Sequence, residues 1–597
     1  MDVTNRSRVA AAVCALIGGL AGSGIPAVAQ DRVDFEETSA DVVRLPSLFA
    51  RYADSPAPTL RTDAALASSL AARSARRSDP NDPIAVPSPS AVSPALLTGW
   101  SFLEGSPTAR PMGLSTAAGA RPTTRAPSGP VAPQEEEVWT DPWGQEKNFG
   151  LAVVEAYLGN FLPWAFNELV PGRAALKISQ ISPRSWANNI SHGWEWDDNA
   201  FQVNHFAHPF QGNIYYNAAR TNGYGYWTGV LFATVGSYNW ECCGETHFMS
   251  VNDWYNTAIG GAAVGEMLYR TSSMVLDNQA TGTERAWREL GAFALNPVRG
   301  FTRLVSGNIA RVYENPENPS DHVPNRLENQ MSFGVRQASS ERSSGEVSVS
   351  EEGEAHGFFD LQMIYGSLLD LDRQKPFDFF SLATQINLRQ EVGLGKLQIR
   401  GNLWHKGLSR TENSVSKLVL VQDFDYENNS AFEFGGQGVS MMYLKRTERS
   451  ERTSFAWNAA ATWMIMGGVN SEFSSFADIG GVLERLREYE FGTGFGGRVG
   501  FQLLRDGYRW IDGSYRVQHL FTLNGSNFNG RDASHVVQMF RLRGVFPLGF
   551  KRFGAGAEYE LFLRDSFFEA GDFSKIEQRV PRWQIFLTWN PTRNVSN

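Results

Sequence analysis

The chain reads as an α+β protein in which an N-terminal, small-residue-rich helical domain precedes an antiparallel transmembrane β-barrel of about 12 strands. Three observations lead there. The hydrophobic period changes from 3.6 to 2 near residue 329. Only 20% of the 597 residues are charged, while 57 are Gly, 17 are Trp and 12% are aromatic; a soluble domain carries about 25% charge. The mean hydropathy of −0.30 excludes a polytopic helical membrane protein but is silent on a barrel, whose apolar and polar residues alternate and average out.

The first segment, residues 1–29, reads as a signal peptide. Arg6 and Arg8 form a positive start, Val9 to Leu20 an apolar stretch too short to span a bilayer, and Ala27-Val28-Ala29 a small-residue cleavage site. The expected location is the cell outer membrane. Residues 30–139 hold about half of all 28 prolines, mixed with Ala, Ser and Thr. Such a stretch buries too little apolar surface to offset its chain entropy and reads as a disordered linker.

The helical domain is placed at residues 140–310. Phe149 to Val170 carries Leu151, Val154, Tyr157, Leu158, Phe161 and Leu169 at helical spacing and stops at Pro171-Gly172. Three more helices are expected, roughly Gly212 to Asn222, Tyr226 to Glu241 and Asp253 to Met274. Gly260-Gly261-Ala262-Ala263-Val264-Gly265 puts almost no side chain on one surface, which suits close helix packing. The apolar runs, about 15 residues at most, fall short of a spanning helix.

The barrel is placed at residues 311–597. Phe380, Leu382, Thr384 and Ile386 alternate with Ser381, Ala383, Gln385 and Asn387; Trp583, Ile585, Leu587 and Trp589 alternate with Arg582, Gln584 and Thr588. Segments of about 9 to 15 residues suit tilted membrane strands and exceed the five or six residues usual in soluble sandwiches. Trp404, Tyr443, Trp457, Trp463, Trp510, Trp583 and Trp589 are expected in two interfacial girdles. The partner implied is outer-membrane lipid. With 54 Lys+Arg against 63 Asp+Glu, a net charge of −9, no nucleic-acid partner is expected. Of the three cysteines, Cys242 and Cys243 outlast the leader, and they read as small buried hydrophobes, since adjacent cysteines rarely bridge.

Chemistry is expected in the helical domain, where polar residues interrupt apolar helices. His205 and His208 stand three apart and Glu241 and Glu245 four apart, so each pair shares a face on a regular helix. With Asp253, these five form a candidate catalytic set, either a carboxylate–histidine base or ligands for a divalent metal. The alternative is a structural network of Asn204, Arg220, Asn252, Glu266 and Arg270, with Asn252 or Asp253 as a helix cap and Glu266–Arg270 as an ion pair. Neither a zinc-protease H-E-x-x-H nor a phosphate-binding Gly loop occurs, and no cofactor is indicated.

The run Asn204-His205-Phe206-Ala207-His208-Pro209, then Gly212, Tyr215-Tyr216-Asn217-Ala218-Ala219-Arg220, Trp240-Glu241, Gly244-Glu245, Ser250, Asn252-Asp253, Gly260-Gly261, Gly265-Glu266 and Arg270 resembles bacterial exported proteins carrying the domain of unknown function 3943. The resemblance covers about residues 145–300. It implies an exported, envelope-located protein and supplies no reaction. Two functions follow as expectations. The first is an outer-membrane barrel carrying a periplasmic or lumen-plugging helical domain, with a pore, scaffold or envelope-maintenance role. The second is a membrane-held lipid- or glycan-modifying enzyme using the His/Glu/Asp set.

Overall fold

The computed structural model describes residues 147–590, with breaks at 170–177, 198, 316–323, 325 and within several barrel connections. The expected signal peptide, the linker and the last seven residues lie outside the described residues. Among the described residues, eight α-helices precede the barrel: α1 Phe149–Leu169, α2 Pro183–His192, α3 His208–Arg220, α4 Tyr226–Cys243, α5 Val251–Tyr255, α6 Gly261–Val275, α7 Gly282–Leu295 and α8 Pro297–Val305. Two π-helical turns, Val203–Ala207 and Asn256–Gly260, lead directly into α3 and α6. Five of the helices fall in the four expected stretches, α5 and α6 sharing the last, and α2, α7 and α8 lie outside them. By length and composition α1 suffices to cross a membrane, contrary to the expectation of shorter apolar runs. Pro163 lies inside α1 without ending it.

The small-residue surface does what its composition predicts. A Cβ on Gly212 of α3 would overlap the Thr257 carbonyl oxygen, one on Gly261 of α6 would come within 2.5 Å of the Gly212 backbone, and one on Gly265 within 2.6 Å of the Tyr216 ring. Helices α3 and α6 thus touch backbone to backbone. All of α6 except Met274 is buried.

Twelve antiparallel strands close the barrel: β1 Leu327–Ser344, β2 His356–Tyr365, β3 Phe380–Asn387, β4 Leu394–Arg410, β5 Ser414–Asn428, β6 Glu433–Ser450, β7 Thr453–Asn470, β8 Tyr489–Arg505, β9 Tyr508–Thr522, β10 Ala533–Pro547, β11 Phe553–Phe568 and β12 Lys575–Trp589. Closure runs through β12 and β1, where Leu587 faces Phe333 and Trp583 faces Gln337. A short strand, Val347–Glu352, extends β1 as a hairpin. Strand β12 displays the period: Trp583, Ile585 and Leu587 are 62%, 68% and 61% exposed, while Arg582, Gln584, Phe586 and Thr588 between them are buried. Trp404, Tyr443, Trp457, Trp510 and Trp589 gather toward the end that carries the Arg410–Ser414, Ser450–Thr453 and Arg505–Tyr508 turns, but Trp463 and Trp583 lie mid-strand. The opposite end exposes Phe521 and Phe567.

The interior is identified by contacts that cross it between strands that are not neighbours. Arg498 of β8 reaches Asp423 of β5 at 3.5 Å, Arg516 of β9 reaches Asp425 of β5 at 3.0 Å, Lys396 of β4 reaches Glu560 of β11 at 2.8 Å, and Arg543 of β10 reaches Asp360 of β2 at 3.1 Å. Because Asp423 and Asp425 point inward, Gln422, Phe424 and Tyr426 on the same strand must point outward, yet all three are buried. The helices cover them. Tyr226 of α4 donates to the Gln422 side chain, and the rings of Phe201 and Phe206 lie 5.7 and 5.5 Å from that of Tyr426. The same core joins helical Tyr215, Tyr216 and Val264 to outward-facing Leu361, Met363, Phe380, Leu382 and Ile399. The helical domain therefore packs on the outer wall of the barrel and does not plug its lumen.

Candidate functional site

The five candidate residues do not meet at one point. His205 and His208 part company because His205 lies within the π-helical turn Val203–Ala207, whose wider turn breaks the one-face geometry of a regular helix before His208. His205 is inserted into the barrel wall, its ring 4.4 Å from that of Phe201 and 5.5 Å from those of Tyr489 and Phe491. His208 turns the other way: its Nε2 lies 3.2 Å from Asp253 Oδ1 and its Nδ1 3.3 Å from the Thr257 hydroxyl.

Asp253 belongs to a buried polar seam. Asn252 donates to Asp253 Oδ1 and to Asp197 Oδ1, each at 2.7 Å, and Asn204 donates to Asp197 Oδ1 at 2.8 Å and to the Tyr489 hydroxyl at 2.6 Å. Neither Asn252 nor Asp253 is the cap of α5; Ser250 holds that position, and its backbone N–H donates to Glu241 Oε2 at 2.9 Å. Asn189 of α2 closes the C-terminal end of α4 by donating to the carbonyls of Glu241, Cys242 and Glu245, which are otherwise orphaned there. Asp197 and Asn189 escaped the sequence reading; the one hint for Asp197 was a charge closing the aromatic run Trp194-Glu195-Trp196. Cys242 and Cys243 form a vicinal disulfide, so the expectation of two free small hydrophobes is corrected. They occupy the last turn of α4, where the chain leaves helical geometry at Gly244.

Burial holds the His208 imidazole down at about 4, against an opposing pull from Asp197. Burial also pushes Glu245 up to about 8, with the Asp197 charge adding to the effect, and raises Glu241 and Asp253 well above the carboxylate range. The seam thus pairs a neutral imidazole with carboxyls that retain protons. Among the described residues, no three His, Cys, Asp or Glu side chains converge to hold a metal ion. With both ring nitrogens facing a partner, His208 is clamped.

A raised carboxyl stabilises the fold below its unfolded value and loses that contribution as pH climbs through the folded value; the depressed His208 acts oppositely, only below about 6.5. From about pH 6.5 up through the folded Glu245 value of about 8, the carboxyl effect operates without the His208 one. The helical domain should therefore lose protease resistance across that range, and Glu245→Gln should flatten the loss. A profile identical in wild type and variant would contradict the assignment.

Glu266 is a second polar centre. Its Oε2 accepts from Arg220 Nε at 2.7 Å and from the Tyr216 hydroxyl at 2.7 Å; its Oε1 accepts from Arg220 Nη2 and Arg270 Nε, both at 2.9 Å. These cations overcome the opposing effect of burial and hold the carboxyl down at about 2. Arg270 continues to Asp378 at 3.0 Å and the Pro376 carbonyl at 2.9 Å, both in the β2–β3 connection. Through it, α6 is tied to the barrel by charge-assisted bonds.

The lumen has its own construction. Phe432, from the β5–β6 turn, stacks on Phe562 at 3.9 Å between ring centroids, within a layer that includes Phe434, Leu520, Val537 and Val580. Leu368 folds in among Val419, Val421, Met442 and Ala460. The cross-lumen ion pairs span the interior between these apolar groups.

A closed twelve-strand barrel with an alternating, apolar outer wall and a polar, charged interior is the architecture of outer-membrane β-barrel proteins. Within this chain, residues 193–298, inside the helical segment, match the family model Domain of unknown function (DUF3943). Among solved structures, the barrel overlaps an outer membrane channel from Pseudomonas putida F1 (10% identity, TM-score 0.24, covering 45% of this chain and 96% of that one). It also overlaps the NanC porin (9%, 0.20, 43% and 98%) and the Pseudomonas putida toluene transporter TodX (6%, 0.19, 46% and 92%). At such scores these likenesses carry no weight of their own, and the barrel is read from its own strand pairing. No curated protein matches the chain.

Proposed function

We propose that the protein resides in the outer membrane, where an occluded barrel serves as the scaffold that holds the helical domain at the bilayer for envelope maintenance. The observation that carries this reading is the packing of the helices on the outward-facing wall, combined with a second apolar surface on the helices themselves. Trp227, Leu231, Val235 and Tyr238 recur along α4 and are 42 to 58% exposed; Trp287, Leu290 and Phe293 do so along α7, and Tyr157, Phe161 and Leu162 along α1. Apolar surface of this extent is stable against lipid and costly in water. The blocked lumen favours a scaffold over an open pore.

The protein should fractionate with outer membranes and run as a heat-modifiable band. In vesicles of phospholipid with brominated acyl chains, Trp227→Phe and Trp287→Phe should each remove a quenched component of the fluorescence. Recovery in the soluble periplasm, or quenching confined to barrel tryptophans, would refute the proposal.

The His208–Asp253 contact favours a second reading, a membrane-held lipid- or glycan-modifying enzyme. Under it, His208→Ala and Glu245→Ala fold and insert but lose an envelope phenotype that the wild type supports. Folded variants that behave as wild type would remove it.

A further inference from the structure

The barrel interior contains a cavity of about 380 Å³, the size of a small-molecule site. Its lining runs from Phe432, Phe562 and Val580 at one end to Arg446, Leu504 and Arg509 near the strand turns at the other. Nine cationic side chains and four carboxylates line it. We propose that this cavity is a binding well for a small oxyanion, a solute bearing a carboxylate or phosphate group, engaged by Arg400, Arg498 and Arg516.

Those three arginines share only two carboxylates. Arg400 Nε lies 2.9 Å and Arg498 Nη1 3.5 Å from Asp423 Oδ1, while Arg400 Nη2 and Arg516 Nη1 both reach Asp425 Oδ1, the latter at 3.0 Å. The guanidinium groups line the cavity and the two aspartates do not. The Ser440 hydroxyl further occupies Asp423 Oδ2. The three guanidinium groups thus outnumber the two aspartates, and Glu427, the other carboxylate acting on Arg400, is shared with Lys396 at 3.6 Å. Among the described residues, Arg516 Nη2, Arg509 Nε and Arg582 Nε make no hydrogen bond, and all three residues line the cavity; these nitrogens are themselves covered and reach an anion there by a side-chain shift. Buried guanidinium N–H groups left unmade are costly, and an oxyanion supplies the planar acceptors that they fit. The Phe434 ring, 4.5 Å beneath the Arg516 guanidinium, helps to hold its plane in place. A scaffold whose lumen served only as packing would match its charges and spend its donors.

The experiment is calorimetric titration of the full-length protein, purified in detergent, with inorganic phosphate and, separately, with glucuronate, at constant ionic strength set by chloride. Saturable binding of at least one probe is expected, and which one binds distinguishes a phosphate from a carboxylate source. Arg498→Gln is the informative variant, because it leaves the 2.9 Å Arg400–Asp423 pair in place and should retain the fold. It should weaken binding at least tenfold, as should Arg516→Gln. Asp425→Asn, which removes a competing carboxylate, should tighten it several-fold. No saturable binding of either probe to heat-modifiable, folded protein would overturn the proposal. So would binding that Arg498→Gln and Arg516→Gln leave unchanged.

Discussion

Gly212→Ala should disrupt the helical domain while leaving the barrel closed. The added methyl would overlap the Thr257 carbonyl oxygen, which belongs to the backbone of the π-helical turn ahead of α6 and has no side-chain rotamer to yield. The two helices would have to separate, and with them Tyr216 from Gly265 and the Glu266 centre just beyond. Overpacking of a rigid contact costs about 1–3 kcal/mol and more where backbone must move, so a loss of at least about 3 kcal/mol is expected. In purified protein, Gly212→Ala should expose the helical domain to protease while the heat-modifiable band persists. Gly150→Ala is the control: its added methyl meets no atom closer than 3.7 Å, and replacing Gly within a helix should be neutral or stabilising by up to about 1 kcal/mol. A protease-resistant Gly212→Ala would mean that α3 and α6 do not cross here.

Glu266→Gln should produce the second large effect. The substitution preserves shape but leaves Arg220 and Arg270 buried with one carboxylate fewer, and removing one member of a buried ionic cluster costs about 3–5 kcal/mol. Asp378 still faces Arg270 at 3.0 Å, whereas Arg220 retains only the Tyr224 carbonyl, also at 3.0 Å, and the Tyr269 ring. The damage should therefore concentrate at the α3–α6 contact. Since the Glu266 carboxyl is held down at about 2, its contribution is present above the usual carboxylate range and is lost only as pH falls toward 2. Wild-type protein should keep this contact at pH 4, where Glu266→Gln has already lost it. Arg220→Met combined with Glu266→Gln should recover part of the loss, because it removes the stranded charge. Protease resistance of the helical domain measures the wild type and both variants. Equal resistance of wild type and Glu266→Gln would show that the cluster is not needed for packing.

Several of these features were legible in the sequence. The alternation of Trp583, Ile585 and Leu587 with Arg582 and Gln584 identified a membrane strand because strand geometry sends successive side chains to opposite faces. The Gly260-to-Gly265 run announced a close helix crossing because little else can sit where two backbones touch. The Glu266–Arg270 pair followed from helical spacing. Other features were not legible. Spacing three apart suggested that His205 and His208 share a face, and a single wide turn redirected them; no residue type in Val203–Ala207 announces a π turn. Asp197 entered the seam from a connection with no periodic signal, and Arg220 reached Glu266 from another helix 46 residues away.

The position of the helical domain shows the same division most sharply. Period and composition alone determined that the chain contains a barrel with one apolar and one polar face, and that small-residue helices precede it. Only the tertiary structure decided that Gln422, Phe424 and Tyr426 are covered by helices while Trp583, Ile585 and Leu587 are left bare. An alternating pattern marks which face must avoid water. It cannot distinguish an apolar face that meets lipid from one that meets protein, because both satisfy the same hydrophobic demand.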